Sequence, residues 1–532
     1  MAHDVLHPMM NADTVFTMPL ADGRNRSPRP GRAAPPFRWL TRVGALAVPL
    51  FLGTVVFVPP EYRMTALLAV TNLAIAGGFS WLCLQRNATL GMLAAAFLTP
   101  LVVQTSFSTL YFCIFNPSFG VVITHEFVPV LANNMRLQMA ALLFLLSFIP
   151  GWLIVAPRAR RSMPQDYESL RAAATRICKP AFATFTTIVV VLIVLRIANV
   201  GYESGPGYIA YGLFRFCLGL PLLCGAAWKS LGWSARVSVT LVLLANAAFS
   251  ILTNNRSYGF IPCVFFGLGF LLLSDLSVPR KARFLVLLVC LFAFLMIAGD
   301  AGRKVGLGIW YSGLDELAHR VEVLSQKAET IASTRHRWAD EIFARLFTMG
   351  GYQTTSLMPE MVAFKPFYPS QYVLEVVSQG FLPRNLATRL VPPVYEEKSS
   401  LIAFGFRLVA GRHSVDRHCV GAAWEMGGSI AVMLIGLLTG FLIGLWSRIL
   451  AECTAAAPEL GAVCFAIGVD RTFHSVSEGV PSMLHDLVYV FPVGLCLYAI
   501  AWLVTQVTPG IRSPMRMREI PSGPMHAAGR TT

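Results

Sequence analysis

The sequence predicts an all-α polytopic integral membrane protein with about twelve transmembrane helices, and three observations carry that expectation. Charged residues make up 13% of the 532-residue chain, about half the roughly 25% of soluble domains. Hydrophobic residues reach 55%, and mean hydropathy is +0.60. The apolar residues gather in runs close to the ~20 that cross a ~30 Å hydrocarbon core. A soluble chain of this length would divide into two or three domains with polar surfaces. This composition cannot cover them, and it equally excludes disorder, coiled coils and a disulfide-rich scaffold.

Residues 1–40 are polar and rich in Arg and Pro, without the early apolar stretch of a signal peptide. They read as a disordered, basic cytoplasmic tail. Apolar runs follow within 41–299, at about 41–58, 64–84, 90–115, 137–156, 180–199, 209–228, 237–253, 258–276 and 284–299. A large periplasmic segment occupies 300–427. Runs at 428–446, 460–474 and 483–504 complete the spans, and 505–532 form a cytoplasmic tail. With the N-terminus inside, twenty-three Lys and Arg residues fall on inner segments, including a basic loop over 157–179, and three on short outer loops. The positive-inside rule then puts both termini in the cytoplasm. The net charge of +15 therefore reports topology, and no nucleic-acid partner is expected.

The 11 cysteines lie mostly inside apolar runs, with neither CxxC nor Cys/His metal spacing. They read as small packing residues, so no metal or cofactor is expected. In the outer segment, Leu314, Leu317, Val321, Leu324, Ala328, Ile331, Trp338 and Ile342 recur at three- and four-residue steps. No Gly or Pro interrupts 314–349, which predicts an amphipathic helix or helix pair, packed over the spans rather than resting on the membrane. Five prolines break Lys365–Arg412 into irregular chain with short helices. The absence of an internal repeat speaks against an inverted-repeat transporter.

Ionisable residues inside spans are costly and mark function or a wet cavity by default. Here they gather toward the outer rim: Arg196, Arg215, then Arg256 in the tight link beside Asn254 and Asn255. Asp470, Arg471 and His474 follow, with Glu478, His485 and Asp486 at the same level. Arg196 reads most simply as a snorkelling side chain, and Asp470 with Arg471 as an ion pair. The set as a whole is cationic, however. An arginine fork matches phosphate oxygens bidentately, so the pattern points to a phosphorylated lipid head such as a polyprenyl diphosphate.

Several stretches share one further pattern. Asn254-Asn255-Arg256-Ser257 sets an arginine after a polar cluster at a short hairpin. Gly380-Phe381-Leu382-Pro383-Arg384 is followed by Val391-Pro392-Pro393 and Lys398. Gly421-Ala422-Ala423-Trp424-Glu425-Met426-Gly427-Gly428 leads into an apolar span containing Gly436-Leu437-Leu438-Thr439-Gly440, and Arg471 lies late in the penultimate span. In these features residues 237–504 resemble the Wzy-type oligosaccharide repeat-unit polymerases of O-antigen and exopolysaccharide biosynthesis. Here the aromatic Trp424 precedes the acid, whereas members often place it after.

The resemblance implies a GT-C-like, metal-independent glycosyltransferase of the bacterial inner membrane, acting on polyprenyl-diphosphate-linked glycans. A chain-length regulator, a flippase and membrane lipid would be its partners. Such chemistry needs cations for the leaving diphosphate, for which Arg256, Arg471 and Arg384 are candidates. It also needs a base for the acceptor hydroxyl: Glu425 first, then His418 and Asp470. Lys398, Arg215 and Asn255 complete the substrate-binding set. Glu425 could equally cap the N-terminus of the following span, and His418 could be an ordinary polar loop residue. An O-antigen ligase using the same donor and a polysaccharide or lipid transporter are the alternatives.

Overall fold

A computed structural model describes residues 48–115, 120–129, 134–162, 167–200, 205–253, 256–273, 279–290, 313–326, 368–391 and 418–507, apart from isolated positions within them. The chain divides after Pro49, and the described residues belong almost entirely to the unit beginning at Leu50.

Eight helices among the described residues are long and apolar enough to cross a membrane: Pro60–Leu84, Gly91–Tyr111, Met135–Val155, Leu170–Ile197, Gly205–Ala226, Trp233–Leu252, Met426–Ala456 and Gly479–Val507. Each overlaps an expected run. The run at 258–276 is present as a shorter apolar helix, Tyr258–Leu271. Those at 41–58 and 284–299 lie partly or largely outside the described residues.

In chain order, α1 (Arg63–Arg86) precedes α2 (Ala88–Val102), which passes through a π-helical turn at Val103–Phe107 into α3 (Ser108–Phe115). A short antiparallel hairpin, β1 (Gly120–Ile123) and β2 (Glu126–Pro129), pairs Val121 with Val128. Next come α4 (Asn134–Ser162) and α5 (Tyr167–Ile197). These two replace most of the expected loop over 157–179 with helix. Pro180 lies inside α5 rather than at its start, since a membrane helix tolerates proline where neighbours satisfy the freed backbone. The basic residues of that stretch stand in the last turns of α4 and the first four turns of α5, and Arg176 there pairs with Glu459.

α5 ends in a Schellman motif. Asn199 adopts φ 62°, Val200 N–H donates to the Leu195 carbonyl, and Asn199 N–H to that of Arg196. One span is then built from two pieces, α6 (Gly205–Cys217) and α7 (Pro221–Ala226), before α8 (Trp233–Leu252) and α9 (Arg256–Leu273). Three helices of the 300–427 segment are described: α10 (Leu314–Gln326), α11 (Pro369–Phe381) and α12 (Arg384–Leu390). The expected helix beyond residue 326 lies outside the described residues.

α10 does pack against a span, with the expected face turned inward only in part. Leu317 and Leu324 are half-buried, Leu314 and Val321 are exposed, and Arg320 is buried. Its guanidinium donates to the Leu252 carbonyl at the end of α8 (3.2 Å) and to Glu316 (2.9 and 3.0 Å). An orphan carbonyl at a helix C-terminus is a natural place for a cation.

The last helices are α13 (Cys419–Ala456) and α14 (Pro458–Val507). α13 breaks at Gly427–Gly428, where Gly428 has φ 59°. Past that break, Gly436, Gly440 and Gly444 form a stripe facing the Phe144, Phe148 and Trp152 carbonyls of α4, leaving no room for a Cβ at Gly440. Small residues at four-residue spacing let membrane helices approach closely, which gives Gly436 and Gly440 a packing role. α14 is a helical hairpin folded at Gly479, whose φ of 81° suits glycine. In a straight helix Arg471 and Asp486 would stand about 22 Å apart, yet their side chains are bonded at 2.7 Å.

Candidate functional site

The hairpin brings charge into the interior. Arg471 on the first arm meets Asp486 on the second, Nε and Nη2 reaching Oδ2 at 2.7 and 2.6 Å. The two side chains are 2% and 5% exposed. The guanidinium also lies over the Phe216 ring of α6, 5.7 Å from its centroid. Asp470 does not pair with its neighbour Arg471, because residues one apart on a helix point in different directions. It faces His474, one turn on, whose Nδ1 is 3.3 Å from Oδ1. Asp470 is fully buried, and neither carboxylate oxygen accepts a hydrogen bond among the described residues.

Eight residues separate Arg471 from the turn at Gly479, a depth of about 12 Å along the arm. The group therefore stands about two turns from the hairpin's own turn. The first arm owes its weak hydropathy to Asp470, Arg471 and His474, and only the second arm stands among the long apolar helices.

Arg215 directly precedes Phe216 on α6 and lies within electrostatic reach of Tyr258, as does Arg196. Tyr258 and Tyr211 share a hydrogen bond between their hydroxyls, and Asn246 Nδ2 donates to the Tyr258 carbonyl at 2.8 Å. Arg196, Asn246 and Tyr258 also line a narrow half-open cleft with Phe214, Ser250 and Thr253. α10 sits close by: Gly313 N–H, just before it, donates to the Arg196 carbonyl at 3.0 Å.

The other candidates are placed less closely. Arg256 is the first residue of α9 and Arg384 the first of α12, but both side chains, like that of Glu425, lie outside the described residues. So do Asn255 and Lys398. The backbone of Glu425 lies in the short helical piece before the Gly427–Gly428 break. That is the C-terminal end of a helical piece, two residues before the break. His418 is the N-cap of α13, its Nδ1 accepting the Val420 N–H at 3.2 Å. It is fully buried, and burial pushes its imidazole down to about 4, the Leu101 backbone partly offsetting this. It is a neutral cap rather than a phosphate-binding cation.

The sequence reading missed three features. Asp486 as the partner of Arg471 was recoverable from the near-equal spacing of the two around Gly479-Val480-Pro481. Glu375 of α11, fully buried, carried no local signal. The third is a neutral network centred on Gln138. Its Oε1 accepts from Asn72 Nδ2 (3.0 Å) and Ser106 Oγ (2.9 Å), while its Nε2 donates to the Thr105 carbonyl (3.1 Å) and Thr109 Oγ1 (2.8 Å). The network clamps the π-helical turn between α1 and α4. Among the described residues no three His, Cys, Asp or Glu side chains gather as a metal site. Comparison of the chain with protein families, curated proteins and solved structures finds no match.

Proposed function

We propose that the chain is a membrane glycan polymerase, transferring an oligosaccharide from one polyprenyl diphosphate to a sugar hydroxyl of a second lipid-linked unit. The observation that carries the reading is the commitment of Arg471, held by Asp486, to the interior of a bundle of apolar helices. Ionisable groups buried there are expensive and mark a functional site by default. An anion borne by a lipid is what such helices would meet. In the reaction the acceptor oxygen attacks the anomeric carbon, the bond to the diphosphate breaks, and the diphosphate leaves with the bonding pair. Arg471 and Arg215 would stabilise that charge, joined by Arg256 and Arg384. The acceptor proton would pass to Glu425 or Asp470. The protein would lie in a bacterial inner membrane with both termini cytoplasmic and this site open to the outer leaflet.

One observation favours a second reading, a lipid or polysaccharide transporter. The charges lie about two or three turns from the hairpin's turn, beside a span broken between α6 and α7, and discontinuous helices around buried charge are a transporter feature.

Deleting the gene and resolving surface polysaccharide by electrophoresis separates these readings. A polymerase mutant displays single repeat units, a ligase mutant retains polymer on the carrier, and a flippase mutant displays no units. In complemented cells, Arg256→Lys and Glu425→Gln should each reduce polymer strongly at normal protein level. Polymer of normal length from both variants would remove these two residues from the chemistry.

A further inference from the structure

α10 and α11 belong to the same 300–427 segment but turn opposite chemistry outward. On α10 the outward face carries Asp315, Glu316, His319, Glu322, Ser325 and Gln326 beside the apolar Leu314 and Val321, a surface that water can cover. On α11 the exposed side chains from Val373 onward are Val373, Leu374, Val377 and Phe381. The residues turned into the protein are Tyr372, Val376 and Ser378 beside the fully buried Glu375. The helix is therefore apolar on both sides and keeps its one carboxylate inward, so its outer face is poorly suited to water. It is ordered correctly for lipid, where a charged group cannot face the surroundings cheaply and exposed aliphatic surface costs nothing.

The position of α11 agrees. It packs along α14, and at Gly380 its backbone lies so close to the Leu484 side chain that a Cβ would collide with it. Leu484 belongs to the span Gly479–Val507, five residues or about 8 Å beyond the turn. Beside α11 that arm is mostly buried, and its exposed apolar side chains, Leu495, Trp502, Leu503 and Val507, lie farther along. The apolar face of α11 thus stands against a span whose farther part turns apolar side chains outward. Its start is fixed by Pro369 in the first turn, and its end by extended Leu382, the residue before Pro383.

We infer that α11 is embedded in the lipid leaflet at the Gly479 end of the bundle, with Val373, Leu374, Val377 and Phe381 against acyl chains and Glu375 held toward α14. The inference rests on the apolar spans and not on the proposed activity. Their common segment then has two environments: α10 in water over the α8 end, and α11 in lipid along α14.

Collision accessibility of a nitroxide tests this in the full-length protein in nanodiscs, after the exposed native thiols Cys290 and Cys496 are replaced by serine. Labels at Val373→Cys and Val377→Cys are compared with Val190→Cys on the exposed face of α5 and Glu322→Cys on α10. At both α11 positions, oxygen accessibility should match Val190, and accessibility to a water-soluble nickel chelate should be several-fold below that at Glu322. Nickel accessibility equal to Glu322 would put the face in water. Shielding from both reagents would mean that protein covers it, whether a second copy or another stretch of this chain. Either result overturns the inference.

Discussion

Around Gln138 and around Arg471 the helices bury polar side chains, but only the first cluster is neutral. The Gln138 amide uses its full capacity, two bonds received and two given, and every member is uncharged. The second cluster contains a buried ion pair and a further buried carboxyl, Asp470, which His474 Nδ1 approaches at 3.3 Å. A neutral network fixes helix positions at little cost. Ionisable groups buried in a membrane interior are costly, and their retention points to a function. The difference separates a structural cluster from a functional one in the same membrane interior.

The largest expected effect comes from opening the ion pair on one side. Asp486→Asn leaves the Arg471 guanidinium buried without its counter-charge, and removing one partner of such a pair costs ~3–5 kcal/mol. Thermal unfolding in detergent should show a sharply lowered midpoint. An unchanged midpoint would mean that water or lipid phosphate already serves Arg471.

A second effect belongs with the neutral side of the comparison. His418 is an uncharged buried cap whose pKa is pushed from 6.5 to about 4. The unfolded chain binds this proton below about 6.5, while the folded chain resists until about 4. Stability is therefore present above 6.5 and is lost as pH falls through that window, by on the order of 3 kcal/mol in full. His418→Asn, which retains a capping acceptor, should flatten the dependence of the unfolding midpoint on pH between 7 and 4.5. A dependence that survives the substitution would assign it to other groups.

The smallest effect is expected at the neutral network. Gln138→Met orphans its partners, and interhelical hydrogen bonds in membranes contribute about 1–2 kcal/mol. The midpoint should fall modestly, while polymer made per folded molecule stays at the native level. Loss of polymer at full protein level would erase the distinction between the clusters.

Local chemistry made most of the spans legible in the sequence. Runs such as 137–156 and 428–446 satisfy a length requirement that needs no tertiary information, and the structure places helices over them. The α5 start was displaced by thirteen residues because Pro180 reads as a boundary, whereas neighbouring helices let it sit inside. The charges of the site were visible, but not their pairing. Asp470 and Arg471 adjoin in sequence, yet the fold at Gly479 sends Arg471 to Asp486 and leaves Asp470 with His474. The inward turn of Arg320 and Glu375 was not legible either, since an apolar periodicity cannot show which face meets protein when lipid is the alternative.

The most direct test of a functional role for the Arg471 cluster replaces both charges together. Arg471→Met combined with Asp486→Leu substitutes apolar groups of similar size, and buried ion pairs so replaced commonly retain or gain stability. Protein level and unfolding midpoint in detergent would be measured beside the length distribution of surface polysaccharide. A functional pair predicts a folded protein at native level that leaves only single repeat units on the cell surface. Polymer of native length from the folded double variant would contradict it and make the pair a structural clamp like Gln138.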